Sequence, residues 1–559
     1  MATPLATLEV LVVDGQSTGA SPAHGHLLEL GWARTTAGAD PDALQTHARL
    51  VQLPDDAEIP RTVTRLTGIG PDEMSDAVAP AEVWAAWREA MEPDHPPLLI
   101  HYARFERPFL HALRPQAADD APAEFNILCT HEIARRLLPQ LPRRGLRALA
   151  GYYGHGVDEL KRSAEHVRAT AFVWHHLVAE LRQHGIETLE QLEPWLAKPA
   201  PRPSAKRAYP MDRAKRLALP ECPGVYRMRR SNGELLYVGK ATSLRQRVNS
   251  YFTKHRKVPE RTLEMLTQAR DFDVTPTATV LEAALLESDE IKAHSPPYNV
   301  MLRGDGRSVW YGDAALESWS EHPSPRHHVG PVRSRGLLQA WASLTAPGDS
   351  IPAALQQRLW AGDTIDDDVW REGRALLATR WFDGRDSFDR KTLGRVGAQL
   401  WQQWREADAE PPADDEDPEP ADAESEQPQW DPPSIADALE RILGTGAHAL
   451  RRAAWLLRLT ECTVRLRRDA TTVRVLHFRD GQLHEREDTT EDRPPPTPPR
   501  WATPASLRRH AFDLATFDRL CILTTELRRL MHADPSVELR LSPRDRLDAP
   551  RLRRALAWV

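Results

Sequence analysis

The segment from Leu219 to Met301 constrains this chain more than any other, because its turn chemistry leaves the backbone few options. Gly224-Val225-Tyr226 and Tyr237-Val238-Gly239 flank Ser231-Asn232-Gly233. An Asn-Gly pair between two short apolar and aromatic runs signals a tight β-hairpin, since both residues tolerate the positive φ that such a turn needs. The hairpin brings the two tyrosines onto neighbouring strands. Beyond it, Lys240, Leu244, Arg247, Val248 and Tyr251 recur at spacings of three or four. That spacing places them on one helix face or on its N-terminal approach. A longer apolar helical run, LEAALLESDEIK, carries Glu287, and PPYN with Asn299 follows it.

The net charge of −7 is unevenly spread over the 559 residues. Between Lys198 and Arg307, 21 Lys and Arg face 12 Asp and Glu, a local excess of +9. Much of the compensating acid lies in DAEPPADDEDPEPADAESEQ, from Asp408 to Gln427. Screening decouples charges more than about 8–10 Å apart, so the middle of the chain can present a phosphate-contacting surface despite the negative total. The four cysteines, Cys129, Cys222, Cys462 and Cys521, are far apart and form no CxxC pair. Neither a disulfide framework nor a zinc or iron–sulfur centre is expected from them. No basic-then-apolar leader and no apolar run of spanning length is visible, which predicts a soluble, cytoplasmic protein.

Two joints and the acidic tract divide the chain. Residues 1–196 alternate strands and helices: LEVLVVD, HLLELGWAR and HARLVQL read as strands, PAEVWAAWREAME as an amphipathic helix, and PLLIHY as a buried strand. Helices are expected near Arg144–Tyr153 and His166–His184. Residues 197–210 mix proline and basic residues and read as a semi-rigid spacer. Residues 211–310 hold the tyrosine hairpin, and 311–406 read as mostly helical and Trp-rich. Residues 407–432 are too acidic to bury a core. Residues 433–559 read as an α+β domain: a long helix, a hairpin around Asp469-Ala470, a helix from Thr516 to Met531 and a strand in SVELRLS. DRPPPTPPR reads as a polyproline loop within it.

PGVY, YVGKA, LRQRV and YNVML, in this order, resemble the GIY-YIG nuclease domain, most closely the version in the incision subunit of bacterial nucleotide excision repair, UvrC, and its homologue Cho. The resemblance implies a small α+β domain that cuts DNA with one divalent metal, Mg²⁺ or Mn²⁺. It implies Glu287 as the metal ligand and Arg247 as the catalytic arginine, whose planar fork suits charge building on phosphate oxygens. Tyr237 would accept a proton from the attacking water, with Lys240 biasing its ionisation or orientation. Tyr226 and Tyr251 would hold phosphate or water, and Asn299 would help position the substrate side. VGPVRSRGLLQAW, from Val329 to Trp341, resembles the segment that follows the nuclease domain in UvrC and Cho. No tandem helix-hairpin-helix text and no second nuclease domain is evident, so a single incision is expected.

The first module resembles the DEDD proofreading exonucleases of ribonuclease H-like fold, through VVDGQSTG, IPRTVTRLTGI and IHYARFERPFL. In that family four carboxylates hold two metal ions and a histidine acts as general base. Asp14 stands at the first ligand position and the longer Glu106 at the third, but Gln16 takes the second. Where the family has His and Asp, KRSAEHVRAT has Lys161 and His166. Two of four anionic charges are gone, and a hard cation binds such a set poorly.

The expected whole is a multidomain α/β protein: a DNA endonuclease of the Cho type, its exonuclease-like domain used for binding. DNA is the expected partner, damaged or structured, with a UvrB-like damage-loading protein as a second. Two other readings stay open: a bifunctional nuclease with an active 3′–5′ exonuclease, and a non-catalytic DNA-binding scaffold.

Overall fold

The computed structural model describes residues 2–114, 125–156, 160–201, 207–253, 258–299, 308–346, 350–359, 365–385, 388–406, 430–490 and 512–557. The acidic tract and the proline run at Pro494–Arg500 lie outside these residues, as does part of the basic spacer.

The first sheet has the order β3-β2-β1-β4-β5, with β1 Val10–Ser17, β2 Leu27–Thr35, β3 His47–Leu50, β4 Leu98–Ile100 and β5 Ile127–Cys129. β1 pairs antiparallel with β2 and parallel with β4. Alternation sends Val10 and Val12 to one face and Leu11 and Val13 to the other, and both faces are covered. This is why VLVV is an unbroken apolar run. The helix Ser163–Gln183 packs Trp174 on one face, and the helix Pro80–Met91 packs Trp84 and Trp87 on the other. The fold is the expected α/β exonuclease layout. The helices Ala103–Leu113 and Thr130–Leu137 were not anticipated, for Pro108 and the short apolar repeats hide their period.

The second sheet is β7-β6-β8: β6 Gly224–Arg229, β7 Leu235–Ala241 and β8 Asp271–Pro276. The β6–β7 turn closes where expected, with Gly233 at φ +87°. Tyr226 and Met228 face the helices Leu244–Ser250 and Glu260–Gln268, while Val225 and Val238 face the helix Val280–His294. Both motif glycines are required by close approach. A Cβ on Gly239 would stand 2.4 Å from the Tyr226 hydroxyl, and one on Gly224 would stand 2.5 Å from the Thr275 carbonyl.

Residues 311–406 are less purely helical than the sequence suggests. A three-stranded sheet, β10-β9-β11, joins Trp310–Gly312, Trp319–Ser320 and Val329–Val332 ahead of the helices. Strands this short leave no alternation to read. The 28-residue helix Pro432–Leu459 starts in the core of this helical region through Ile435 and Leu439. It ends in the next core through Trp455, Leu456 and Leu459. That core belongs to a sheet ordered β14-β13-β12-β15-β16, with β12 Cys462–Arg467, β13 Thr472–Arg479, β14 Gln482–Thr490, β15 Glu538–Arg540 and β16 Arg546–Leu547. The helix Leu514–Ala533 covers it. Leu281 and Leu285 of the Val280 helix are buried in this same core. No helix among the described residues is long and apolar enough to cross a membrane.

Candidate active site

The hairpin and the two helices after it converge on one cleft of about 240 Å³, lined by Tyr237, Arg247 and Tyr251 on one side and Arg261 and Tyr298 on the other. Ser243 caps the Leu244 helix by accepting from the Gln246 N–H. Leu244 and Val248 anchor the helix in the core, which leaves Arg247 exposed on the cleft side. Its guanidinium lies 5.4 Å from the centre of the Tyr251 ring. The Tyr226 and Tyr251 hydroxyls are 2.8 Å apart. Tyr226 is wholly buried, and burial first, then its tyrosine neighbours, pushes its phenol well up. Its hydroxyl is shared between Tyr251 and the Arg247 guanidinium. Burial, followed by Tyr251 and Glu287, likewise holds Tyr237 protonated.

Glu287 reaches the site from the Val280 helix on the far face of the sheet. The backbone N–H of Lys240 donates to its Oε1 at 2.8 Å. Burial raises its pKa, while Lys240 and Arg247 oppose that rise. A single carboxylate beside a backbone dipole and tyrosine hydroxyls fits a hard cation that keeps most of its waters. Among the described residues no group of three or more His, Cys, Asp or Glu stands in a metal-binding arrangement.

Two site residues have partners that the sequence did not indicate. Lys240 Nζ donates to Glu526 Oε1 at 2.6 Å. Glu526 belongs to the Leu514 helix and is 2% exposed. Nothing local in the sequence marks this residue, and it is a member of the site that sequence reasoning missed. Asn299 clamps β7. Val238 N–H donates to its Oδ1 at 3.0 Å and its Nδ2 donates back to the Val238 carbonyl at 2.9 Å, which fixes the strand beside Tyr237.

Further ion pairs pin the C-terminal domain to the Val280 helix. Arg519 donates to Asp289 at 2.7 Å, Lys292 meets Asp518 at 2.9 Å, and Arg474 donates to Glu282 at 2.7 Å.

The exonuclease-type residues also converge, with one exception. Gln16 Nε2 donates to Asp14 Oδ2 at 2.9 Å, and His166 Nδ1 lies 3.2 Å from Asp14 Oδ1. Burial works against a charged His166, but the Asp14 carboxylate outweighs it and raises the pKa. The imidazolium then donates from both nitrogens, Nε2 lying 3.4 Å from the Leu160 carbonyl. Glu106 is buried, and burial together with the Asp14 charge raises its pKa well above the usual range. A histidine and a buried acid that holds its proton more tightly than usual thus stand where the family has ligands. Lys161 is the exception: the helix begins only at Ser163, so Lys161 falls outside its spacing and is exposed. Glu165 caps that helix by accepting from the Arg162 N–H at 2.7 Å. Glu29, which the sequence did not single out, is 1% exposed and receives Arg162 Nε at 2.9 Å and Ser163 Oγ at 2.7 Å.

Residues 222–300 match the family described as UvrC-like GIY-YIG domain, and residues 11–173 match the exonuclease family. A protein of Mycobacterium tuberculosis named as a bifunctional exonuclease/endonuclease is 32% identical over 359 residues, covering 62% of this chain and 52% of that protein. UvrABC system protein C of Alkalilimnicola ehrlichii is 45% identical over 119 residues, 21% of this chain and 19% of that protein. The chain therefore spans about half the length of the first relative and a fifth of the second. The magnesium-bound N-terminal endonuclease domain of UvrC from Thermotoga maritima is 34% identical, with 16% of this chain and 94% of that one covered and a TM-score of 0.15. The chain thus carries an exonuclease-family domain followed by a UvrC-like GIY-YIG domain.

Proposed function

We propose that this protein is a divalent-metal-dependent DNA endonuclease that makes a single-strand incision in repair of the nucleotide-excision type. Its exonuclease-like domain binds rather than cuts. The observation that carries the reading is the convergence of Tyr237, Tyr251 and Arg247 on one cleft, with Glu287 held beside them by the Lys240 N–H.

In this reading Glu287 holds the cation, Mg²⁺ or Mn²⁺. Bound there, the cation would supply neutralisation of charge on the phosphate and on the departing oxygen. A water oxygen attacks phosphorus as the bond to the leaving sugar oxygen breaks. Arg247 offsets the negative charge that gathers on the phosphate oxygens. The water's proton passes to Tyr237 once that phenol has ionised, a change favoured by Arg247 and opposed by its burial. Tyr251, held by Tyr226, orients the water or phosphate. DNA is the substrate, a UvrB-like damage-loading protein the natural partner, and the cytoplasm the place of action.

Supercoiled plasmid and lesion-bearing duplex, incubated with the full chain and Mg²⁺ or Mn²⁺, test this. The protein is expected to nick at least one of them, alone or with the UvrB-like partner. Glu287→Gln should lose about 100-fold or more of that rate, the scale of one transition-state charge contact. Absence of nicking under all these conditions, or full nicking by the Gln variant, overturns the reading.

A second reading rests on the name of the Mycobacterium relative, which couples exonuclease and endonuclease. It requires the Glu287→Gln protein to release mononucleotides stepwise from a labelled single strand. The Asp14–His166 pair speaks against it.

A further inference from the structure

Beyond its catalytic wall, the nuclease cleft continues. Arg261 and Tyr298 line it and also line a larger cavity of about 760 Å³ where the first domain meets the nuclease domain. The far wall of that cavity comes from the exonuclease-like domain through Tyr102, His131, Arg143 and Arg147. The joint between the domains is a packed one. The helices Glu260–Gln268 and Leu146–Tyr153 meet so closely that a Cβ on Gly151 would stand 2.0 Å from Gln268 Oε1. Arg270 stacks 4.1 Å from the Tyr152 ring centre, and Asn232 donates to the Gly154 carbonyl at 3.1 Å. The cavity therefore has fixed walls.

Its chemistry is that of a single-strand track. Four guanidiniums, Arg143, Arg144, Arg147 and Arg261, line it with two carboxylates, Glu264 and Glu260, the latter paired with Arg143. The Glu264 carboxylate is 3.2 Å from Arg147, and Tyr298 lies between Arg147 and Arg261, at 5.9 and 5.8 Å from their centres. The surplus is positive and continuous with Arg247. Tyr102, at the rim, is 50% exposed, among the few large apolar side chains so exposed in the described residues. It sits at φ +66°, a strained setting for a residue with a Cβ, and meets His131 edge-on at 5.0 Å. An aromatic face held open over a row of guanidiniums is the combination that binds unpaired bases and their phosphates together.

We propose that this junction cleft carries one strand of the DNA in unpaired form, with a base on Tyr102 and phosphates on Arg143, Arg147 and Arg261, and leads that strand into the Tyr237–Arg247 cleft. The inference deepens the endonuclease reading and rests on it. It gives the exonuclease-like domain a task that needs no metal: holding the strand beside the cut.

The test is equilibrium anisotropy of a fluorescent oligothymidylate of about 20 nucleotides, long enough for several single-strand sites, titrated with the full chain in EDTA. Tyr102→Ala should weaken binding by about thirtyfold, a mid-range loss for one stacked base, and Tyr102→Phe should bind like wild type. Arg143→Ala/Arg147→Ala should lower the slope of log affinity against log salt by about 1.4, the value for two lost phosphate contacts on a single strand. Wild-type binding by Tyr102→Ala, equal loss in the Ala and Phe variants, or an unchanged salt slope each overturns the track. Tighter binding of an oligouridylate overturns the assignment to DNA. Binding is read without cleavage, so the two ideas fail separately. Loss of plasmid nicking with intact oligonucleotide response removes the endonuclease reading, and Glu287-dependent nicking with an indifferent oligonucleotide removes the track.

Discussion

The two nuclease-type sites of this chain start from similar materials and end differently. Each has a buried or half-buried carboxylate at the end of a strand or on a helix beside it. Glu287 is met by a backbone N–H, and Asp14 is met by an imidazolium. A backbone dipole partly satisfies a carboxylate and leaves it a net anion that can still take a metal. A folded-in cation occupies the same electrostatic niche that a metal would fill. Histidine at position 166 therefore does more than remove one ligand, for it installs a competitor. Burial and the Asp14 charge also make Glu106 harder to ionise, which weakens it as a second anionic ligand.

Substitutions can break or sharpen this contrast. Arg247→Ala is expected to slow nicking by about 10²–10³-fold, the scale of one lost oxyanion contact. An unchanged rate in plasmid assays would show that the reacting phosphate sits elsewhere. Next in size is restoring acid to the exonuclease-type site. Gln16→Glu/His166→Asp should melt lower than wild type in EDTA, because four carboxyl groups then crowd together. Mn²⁺ should return about 2.7 kcal/mol at a hundredfold excess over its Kd, read by thermal melting and calorimetry. Failure of Mn²⁺ to bind the double variant would mean that more than charge has been lost.

Gly239→Ala should cost about 1–3 kcal/mol as its Cβ meets the Tyr226 hydroxyl. Gly394→Ala, in a helix with open space around it, should be neutral or stabilising, and melting curves separate the two. Glu526→Gln should raise the Mg²⁺ needed for half-maximal nicking a few-fold, because the Lys240 ammonium is then unpaired beside Glu287; an unchanged Mg²⁺ titration removes Glu526 from the site. The smallest effect concerns pH. The folded-state pKa of His166 is raised, so its ion pair stabilises fully below about pH 6.5 and fades as pH climbs through the folded value. The melting-temperature gap between wild type and His166→Gln should be widest in mild acid and narrow on the alkaline side.

Much of the first 300 residues was legible because local rules and tertiary demands agree there. The Asn232-Gly233 turn, the alternation in β1 and the spacing of Leu244 and Val248 each state a local preference that the fold uses. The ligand losses at Gln16 and His166 were legible as well, since they sit within recognisable text. The rest depends on distance. Glu526 lies 286 residues from Lys240, and no periodicity links them. The strands β9 to β11 are two to four residues long and give no pattern. Asn299 carried a substrate role by resemblance alone, and only the structure shows its two bonds to the Val238 backbone.

The Val280 helix has a consequence for how such a chain can be taken apart or inherited. Ala283 and Ile291 pack under the nuclease sheet, while Leu281 and Leu285 lie in the core of the C-terminal domain. A gene fragment ending at the nuclease motif would present that leucine stripe to water and lose the partners of Asp289 and Lys292. Recombination at the apparent module border is therefore penalised, and the residues after 430 travel with the nuclease as a built-in chaperone for its Glu287 helix.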